Sequence, residues 1–174
     1  MIQEKMQDKM QDKMQDKMQD RMQDKMQDKI QEKRGEKGKE KEPGEEGYVF
    51  EMPIKVRDYE VDSQGIVNNA NYLHYLEHTR HEFCESRGMT FRAMQERGID
   101  PVVSRIEIDY HTPLRLGETM VSKLWIERRG PRFVFHQDIF TAAGAPAVRA
   151  EVTVVSIERG RLSRGEEIAE WFGL

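Results

Sequence analysis

The sequence predicts an α+β domain in which one long central helix is wrapped by a curved, five-stranded antiparallel sheet. Three observations predict it. Phe50, Met52, Ile54 and Val56 alternate with Glu51, Pro53, Lys55 and Arg57, the period of a half-buried strand. Tyr72, Leu76, Thr79 and Phe83 then recur at helical spacing and share one face. Alternation returns in four later runs, separated by segments that each carry Gly or Pro.

In chain order, the first strand carries Pro53, which cannot donate to a ladder and therefore points to a sheet edge. A loop follows from Asp58 to about Asn68. The long helix comes next, its apolar face widened by Leu73 and Tyr75, and Gly88 supplies the stop. A short helix over Phe91–Arg97 closes at Gly98. The remaining strands are expected at Val102–His111, Thr119–Glu127, Arg132–Thr141 and Ala147–Glu158. Neither the helix nor the sheet can stay apolar on one side unless each covers the other, so the helix should lie in the concave side of the sheet.

Only part of the 174 residues reads this way. Composition divides the chain into residues 1–47, a repeat tail and linker, and residues 48–174, the folded domain. Up to Ile30 the chain repeats a Met-Gln-Asp-Lys unit, and every Phe, Tyr, Trp, His and Cys lies beyond Gly47. Methionines at 6, 10, 14, 18, 22 and 26 recur every fourth residue, so on a helix their stripe drifts ~40° per repeat and faces no single partner. Like charges also fall at i,i+4, as at Asp8 and Asp12, which weakens that helix. The tail is expected to be solvated and dispensable, with a right-handed coiled coil as the alternative, and residues 36–47 read as a flexible linker.

The tail holds 12 basic and 13 acidic residues and the domain 16 and 19, so neither carries the basic footprint of a nucleic-acid binder. One cysteine, Cys84, excludes an intrachain disulfide and fits a reducing compartment. No apolar run approaches the ~20 residues of a membrane span, which makes the cytoplasm the expected location.

The most informative segment is VRDYEVDSQGIVNNANYLHYLEHTRHEF, Val56 to Phe83. It resembles the hotdog-fold acyl-CoA thioesterases of the 4-hydroxybenzoyl-CoA thioesterase-like (YbgC-type) family, in which a strand ends in an Asp-x-x-Gly-(Ile/Val)-Val loop that leads into the central helix. The matching residues are Asp62, Gly65, Ile66, Val67, Asn71 and Tyr72. The resemblance extends from about Phe50 to Ile157. It implies a hotdog fold, hydrolysis of an acyl-CoA thioester, no metal or organic cofactor, and a homodimer or homotetramer with the site at the seam between sheets. It also implies Asp62, Gly65 and Asn69 as the catalytic group and Asn68, Tyr72, Arg129 and Arg132 around the substrate. Two departures bear on the acyl group: Ser63 follows Asp62, and Asn68-Asn69 follow Val67, where hydroxybenzoyl-CoA enzymes carry proline and aromatics. An aliphatic acyl group is the expectation, with a carrier-protein thioester or a non-catalytic acyl-CoA-binding module as rivals.

The chemistry suits those residue types. A carboxylate can attack a thioester carbonyl or take a proton from an attacking water. The oxyanion that develops needs donors, and the first turn of a helix has unspent N–H groups with a positive dipole end behind them. Gly65 permits the tight turn between the two. Judged on spacing alone, Asp62 could equally cap the helix or brace its loop. Asp58 reads as loop-bracing, and Asn71 and Tyr72 as residues that pack the helix start.

Other candidates are weaker. His74, Glu77 and His78 form an H-x-x-E-H string, but a zinc site needs a third protein ligand, so they read as polar residues on the helix flank. Cys84 reads as a packed thiol, and no Gly-x-Ser-x-Gly elbow exists. Arg128, Arg129 and Arg132 surround the turn at Gly130-Pro131, where forked guanidinium groups could meet the phosphates of coenzyme A.

Overall fold

The computed structural model describes residues 47–174, so the expectations for the repeat tail lie outside the described residues. The elements are β1 (Phe50–Lys55), a 3₁₀ turn (Asp58–Glu60), α1 (Asn69–Ser86), α2 (Phe91–Arg97), β2 (Ile99–Tyr110), β3 (Thr119–Arg129), β4 (Arg132–Thr141), β5 (Pro146–Glu158), β6 (Arg161–Leu162) and α3 (Glu166–Phe172). The sheet runs β1-β3-β4-β5-β2 and is antiparallel throughout, with the two-residue β6 beside β5. Pro53 does sit on an edge strand, β1, and the other edge is β2.

The expected face of α1 is the observed one. Tyr72, Tyr75, Leu76, Thr79 and Phe83 are buried against the sheet. Leu73 departs from expectation, standing 38% exposed on the flank of α1. A mixed set of polar contacts bolts the helix to the strands beneath it: Thr79 Oγ1 meets Ser122 Oγ at 2.8 Å, and Gln137 Nε2 donates to the Leu76 carbonyl at 2.9 Å. These buried groups satisfy one another, so they fix the helix register without an unpaired polar group.

Two apolar clusters lie under α1. One surrounds Tyr72, Leu76, Leu114, Met120 and Ile139, and the other Phe83, Phe133, Phe135, Ile168 and Phe172. The second depends on α3, an element that the sequence reading did not contain. β2 also starts three residues earlier than expected, directly after Gly98 caps α2 in the left-handed conformation (φ 66°). Among the described residues no helix is long and apolar enough to cross a membrane.

Candidate active site

The loop between β1 and α1 is a tight, internally bonded turn. Val61 pairs with Val67 across it and Ile66 pairs with Arg115. The Asp62 N–H donates to the Ile66 carbonyl and the Gly65 N–H to the Asp62 carbonyl, both at 2.9 Å. Asp62 Oδ1 accepts the Gln64 N–H at 2.8 Å, an Asx-type turn that sets the direction of the carboxylate. Gly65 has φ 74°, the left-handed region that side chains rarely adopt, so the turn requires glycine.

The helix cap is Asn68, not Asp62: Asn68 Oδ1 accepts the Ala70 N–H at 3.0 Å. Asn69, the first residue of α1, receives the Tyr110 hydroxyl on its carbonyl at 3.1 Å. The Asn69 N–H has no hydrogen-bond partner among the described residues. The site therefore combines a half-buried carboxylate held by its own turn with an unspent N–H at a helix N-terminus.

Glu60 went unnoticed in the sequence, although it holds this arrangement together. It is only 6% exposed. Its Oε2 accepts the Arg57 N–H at 2.6 Å and the Tyr75 hydroxyl at 2.7 Å. Its carbonyl accepts the Asn68 N–H at 2.9 Å and Asn71 Nδ2 at 2.7 Å. The Tyr75 phenol is pushed above its ordinary range by burial first and by the adjacent Glu60 second, so it stays a donor. Glu60→Ala would strand two donors at one buried point and should cost ~1–3 kcal/mol in a denaturant titration. A loss under ~0.5 kcal/mol, within the range of ordinary surface substitutions, would show that the carboxylate is not the tie described.

Tyr72 lies in the core beside Tyr75 and Tyr110, and its hydroxyl accepts the Leu114 N–H at 3.3 Å. It braces the loop from behind. Asn71 serves the helix start in the way described for Glu60, and Asp58 Oδ1 accepts the Tyr59 N–H, a local brace. His78 pairs loosely with Glu82 at 3.8 Å, and no group of three potential metal ligands occurs among the described residues. Burial pushes the Cys84 thiol up to about 11, away from the nucleophilic thiolate.

The arginine hairpin is not near Asp62 within one protomer. Lys55, at the Asp62 end, pairs with Thr119, and β3 then runs ten residues to Arg129, roughly 34 Å at ~3.4 Å per residue. Arg128 is committed elsewhere: its guanidinium holds Glu166 at 2.8 and 3.1 Å and the Arg164 carbonyl at 3.0 Å, tying the hairpin to α3. Arg129 engages Glu127 and lies 3.7 Å from Glu151. Arg132 is exposed at the hairpin's edge.

Residues 56–173 match the model of the thioesterase-like superfamily, which covers the Asp62 loop, α1 and the whole meander. The chain belongs to that superfamily. Among its relatives, the chloroplastic acyl-acyl carrier protein thioesterase ATL3 of Arabidopsis thaliana is 40% identical over 91 residues, 52% of this chain and 48% of the relative. This chain thus spans about half of that relative's length. The putative acyl-CoA thioesterase YneP of Bacillus subtilis is 33% identical over 113 residues, 64% of this chain and 82% of the relative. In structure, a hypothetical protein of Aquifex aeolicus superposes with TM-score 0.66 at 27% identity, over 71% of this chain and 98% of that one. The thioesterase-like superfamily supplies the fold that residues 50 to 158 were expected to adopt, with a central helix in a curled sheet.

Proposed function

We propose that the domain over residues 48–174 hydrolyses aliphatic acyl-CoA thioesters, with Asp62 as general base or nucleophile and the Asn69 N–H as oxyanion donor. The observation that carries this reading is the pairing of an oriented carboxylate with an unspent helix N–H on one short loop. In the base route Asp62 takes a proton from water as the water oxygen attacks the thioester carbon. The oxyanion collapses, the C–S bond breaks, and the coenzyme A thiolate leaves and regains a proton. In the nucleophile route the carboxylate attacks first, the C–S bond breaks and the coenzyme A thiolate leaves and takes up a proton, and water then opens the resulting anhydride.

Thiol release across acyl-CoAs of different acyl type tests the reading. Turnover of aliphatic acyl-CoAs above benzoyl-type thioesters is expected, and no turnover of any thioester would overturn it. A carrier-protein substrate is the second reading, favoured by the Arabidopsis relative, which is named an acyl-acyl carrier protein thioesterase. Matched acyl-carrier-protein thioesters with a higher kcat/KM would support that alternative.

The unit is a homodimer in this reading. β2 is an open edge whose unpaired backbone self-pairing would complete, and Val102, Val103, Ile106 and Tyr110 along it are between 40% and 48% exposed. Arg132 shares a rung with Val155 and Val102 at the start of β2, whereas Tyr110 at its end touches Asn69. Antiparallel pairing of two β2 strands about their middles brings the arginine hairpin of one protomer toward the Asp62 loop of its partner. Light scattering should give at least a dimer, and a fully active monomer would contradict this.

On the same reading, Arg129→Ala or Arg132→Ala should raise KM far more than it lowers kcat. Phosphate contacts remote from the carbonyl are made alike in ground and transition states. One charge-assisted contact is worth ~1.5–3 kcal/mol at most, less where water screens it. Unchanged KM in both variants would assign the hairpin to solubility and to the tie with α3.

A further inference from the structure

Outside the Asp62 loop, the structure holds a cavity of about 440 Å³ between the second half of α1, the start of β2 and the second apolar cluster. Its walls include Met94, Val103, Phe133 and Phe135, and its volume falls in the ~300–1,000 Å³ range of small-ligand sites. Glu77, Glu85 and Asp100 stand exposed at its mouth with the half-buried His81.

Arg80 faces this space from a buried position, 9% exposed. Its Nη1 donates to Gln137 Oε1 at 2.8 Å, a neutral partner that is itself fully buried. No carboxylate among the described residues lies within the 4.0 Å of an ion pair; Glu77 acts on it only through space. Among the described residues the other guanidinium nitrogens have no hydrogen-bond partner, yet no buried side-chain nitrogen is left unsatisfied, so they remain open to the cavity. A desolvated cation with a single neutral partner is costly, and an anion completes it.

Apart from Glu77 and Arg80 itself, the approach to the cavity is apolar. Leu73, Glu77, Arg80 and Cys84 fall at i, i+4, i+7 and i+11, one stripe of α1. Val103, Ile106 and Tyr110 on β2 lie opposite, since their rungs place them on the same side of the sheet as the buried Val154, Val152 and Val148. A groove between these two rows would begin at Asn69, which Tyr110 touches, and reach Arg80 about 16 Å along the helix.

We propose, building on the thioesterase reading above, that the groove carries the acyl chain and that Arg80 binds a carboxylate at its far end. The favoured substrates are thioesters of medium-length dicarboxylic acids. A forked guanidinium suits a carboxylate, and the apolar groove suits the methylenes between the two ends.

The test compares adipoyl-, suberoyl- and sebacoyl-CoA with hexanoyl-, octanoyl- and decanoyl-CoA by thiol release on the full chain. At one length or more, kcat/KM for the carboxyl-terminated chain should exceed that for its plain counterpart by about 10- to 100-fold, the worth of one charge-assisted contact. Arg80→Met should bring that ratio to about one or below, whatever its effect on absolute rate. Arg80→Lys should keep part of the preference. Plain chains hydrolysed as well as carboxyl-terminated ones by the wild type would overturn the role of Arg80 while leaving the thioesterase reading intact. A preference that survives Arg80→Met would overturn it as well, and no hydrolysis of any of the six would overturn both.

Discussion

Phe83→Ala is expected to lower the melting temperature by roughly 12–20 °C, because removing a buried phenylalanine costs ~3–5 kcal/mol and each kcal/mol moves a domain of this size by about 4 °C. Phe83 is fully buried where three separate parts of the chain meet. Its ring stacks on Phe172 at 5.3 Å, meets Phe50 at 5.8 Å and meets Phe135 edge-on at 6.4 Å. It therefore joins α1 to the edge strand β1, to the central strand β4 and to α3 at once. The cavity left by alanine cannot collapse from one side, since each neighbour is held by a different element. With ~5–15 kcal/mol as the usual total, this one ring accounts for a large share of stability. Thermal unfolding by circular dichroism checks it, and a fall under ~4 °C would show that the second cluster is not organised around Phe83.

That cluster also shows where the sequence is legible and where it is not. Tyr72, Leu76, Thr79 and Phe83 could be read as one face because helical periodicity over about three turns survives local exceptions. Leu73 could not be placed, because a flank residue has the same spacing whether it faces a strand or solvent, and here it stands exposed. α3, as short as α2, escaped notice because its N-cap is Gly165, with no capping side chain, where α2 has Thr90. Its signals were local: Glu166 and Glu167 in the first turn, Ile168 and Phe172 at i,i+4, and Gly173 at the stop.

The Asp62 loop was legible for a different reason. Gly65 and the Asn-rich helix start are local requirements of a turn and a cap, so they can be read from adjacent residues. Glu60 was not, because the Tyr75 hydroxyl that makes it a tie lies fifteen residues away, across a fold that must already exist. Arg129 and Arg132 mark the same limit. Their distance from Asp62 along β3 is a property of topology, which no local stretch of sequence displays.

The second large effect concerns Asp62→Asn, which keeps the size of the side chain and removes its capacity to attack or to accept a proton. The loop should survive, since an asparagine oxygen can still accept the Gln64 N–H. The helix start should survive too, because its cap is Asn68. Stability is thus expected to change by less than ~0.5 kcal/mol, as for a substitution that leaves the local bonds in place. Turnover should behave quite differently. Loss of a general base or nucleophile lowers kcat by something on the order of 10²–10⁴, while KM moves little because the contacts to the rest of the substrate persist. An aspartate that only braces the loop would show neither change.

The most direct test is therefore the steady-state rate of thiol release from an aliphatic acyl-CoA by wild type and by Asp62→Asn, with folding of both confirmed by their unfolding curves. A fall in kcat of about a hundredfold or more at nearly constant KM and unchanged stability is the expected result. Near-normal hydrolysis by a folded Asp62→Asn protein would contradict the mechanism.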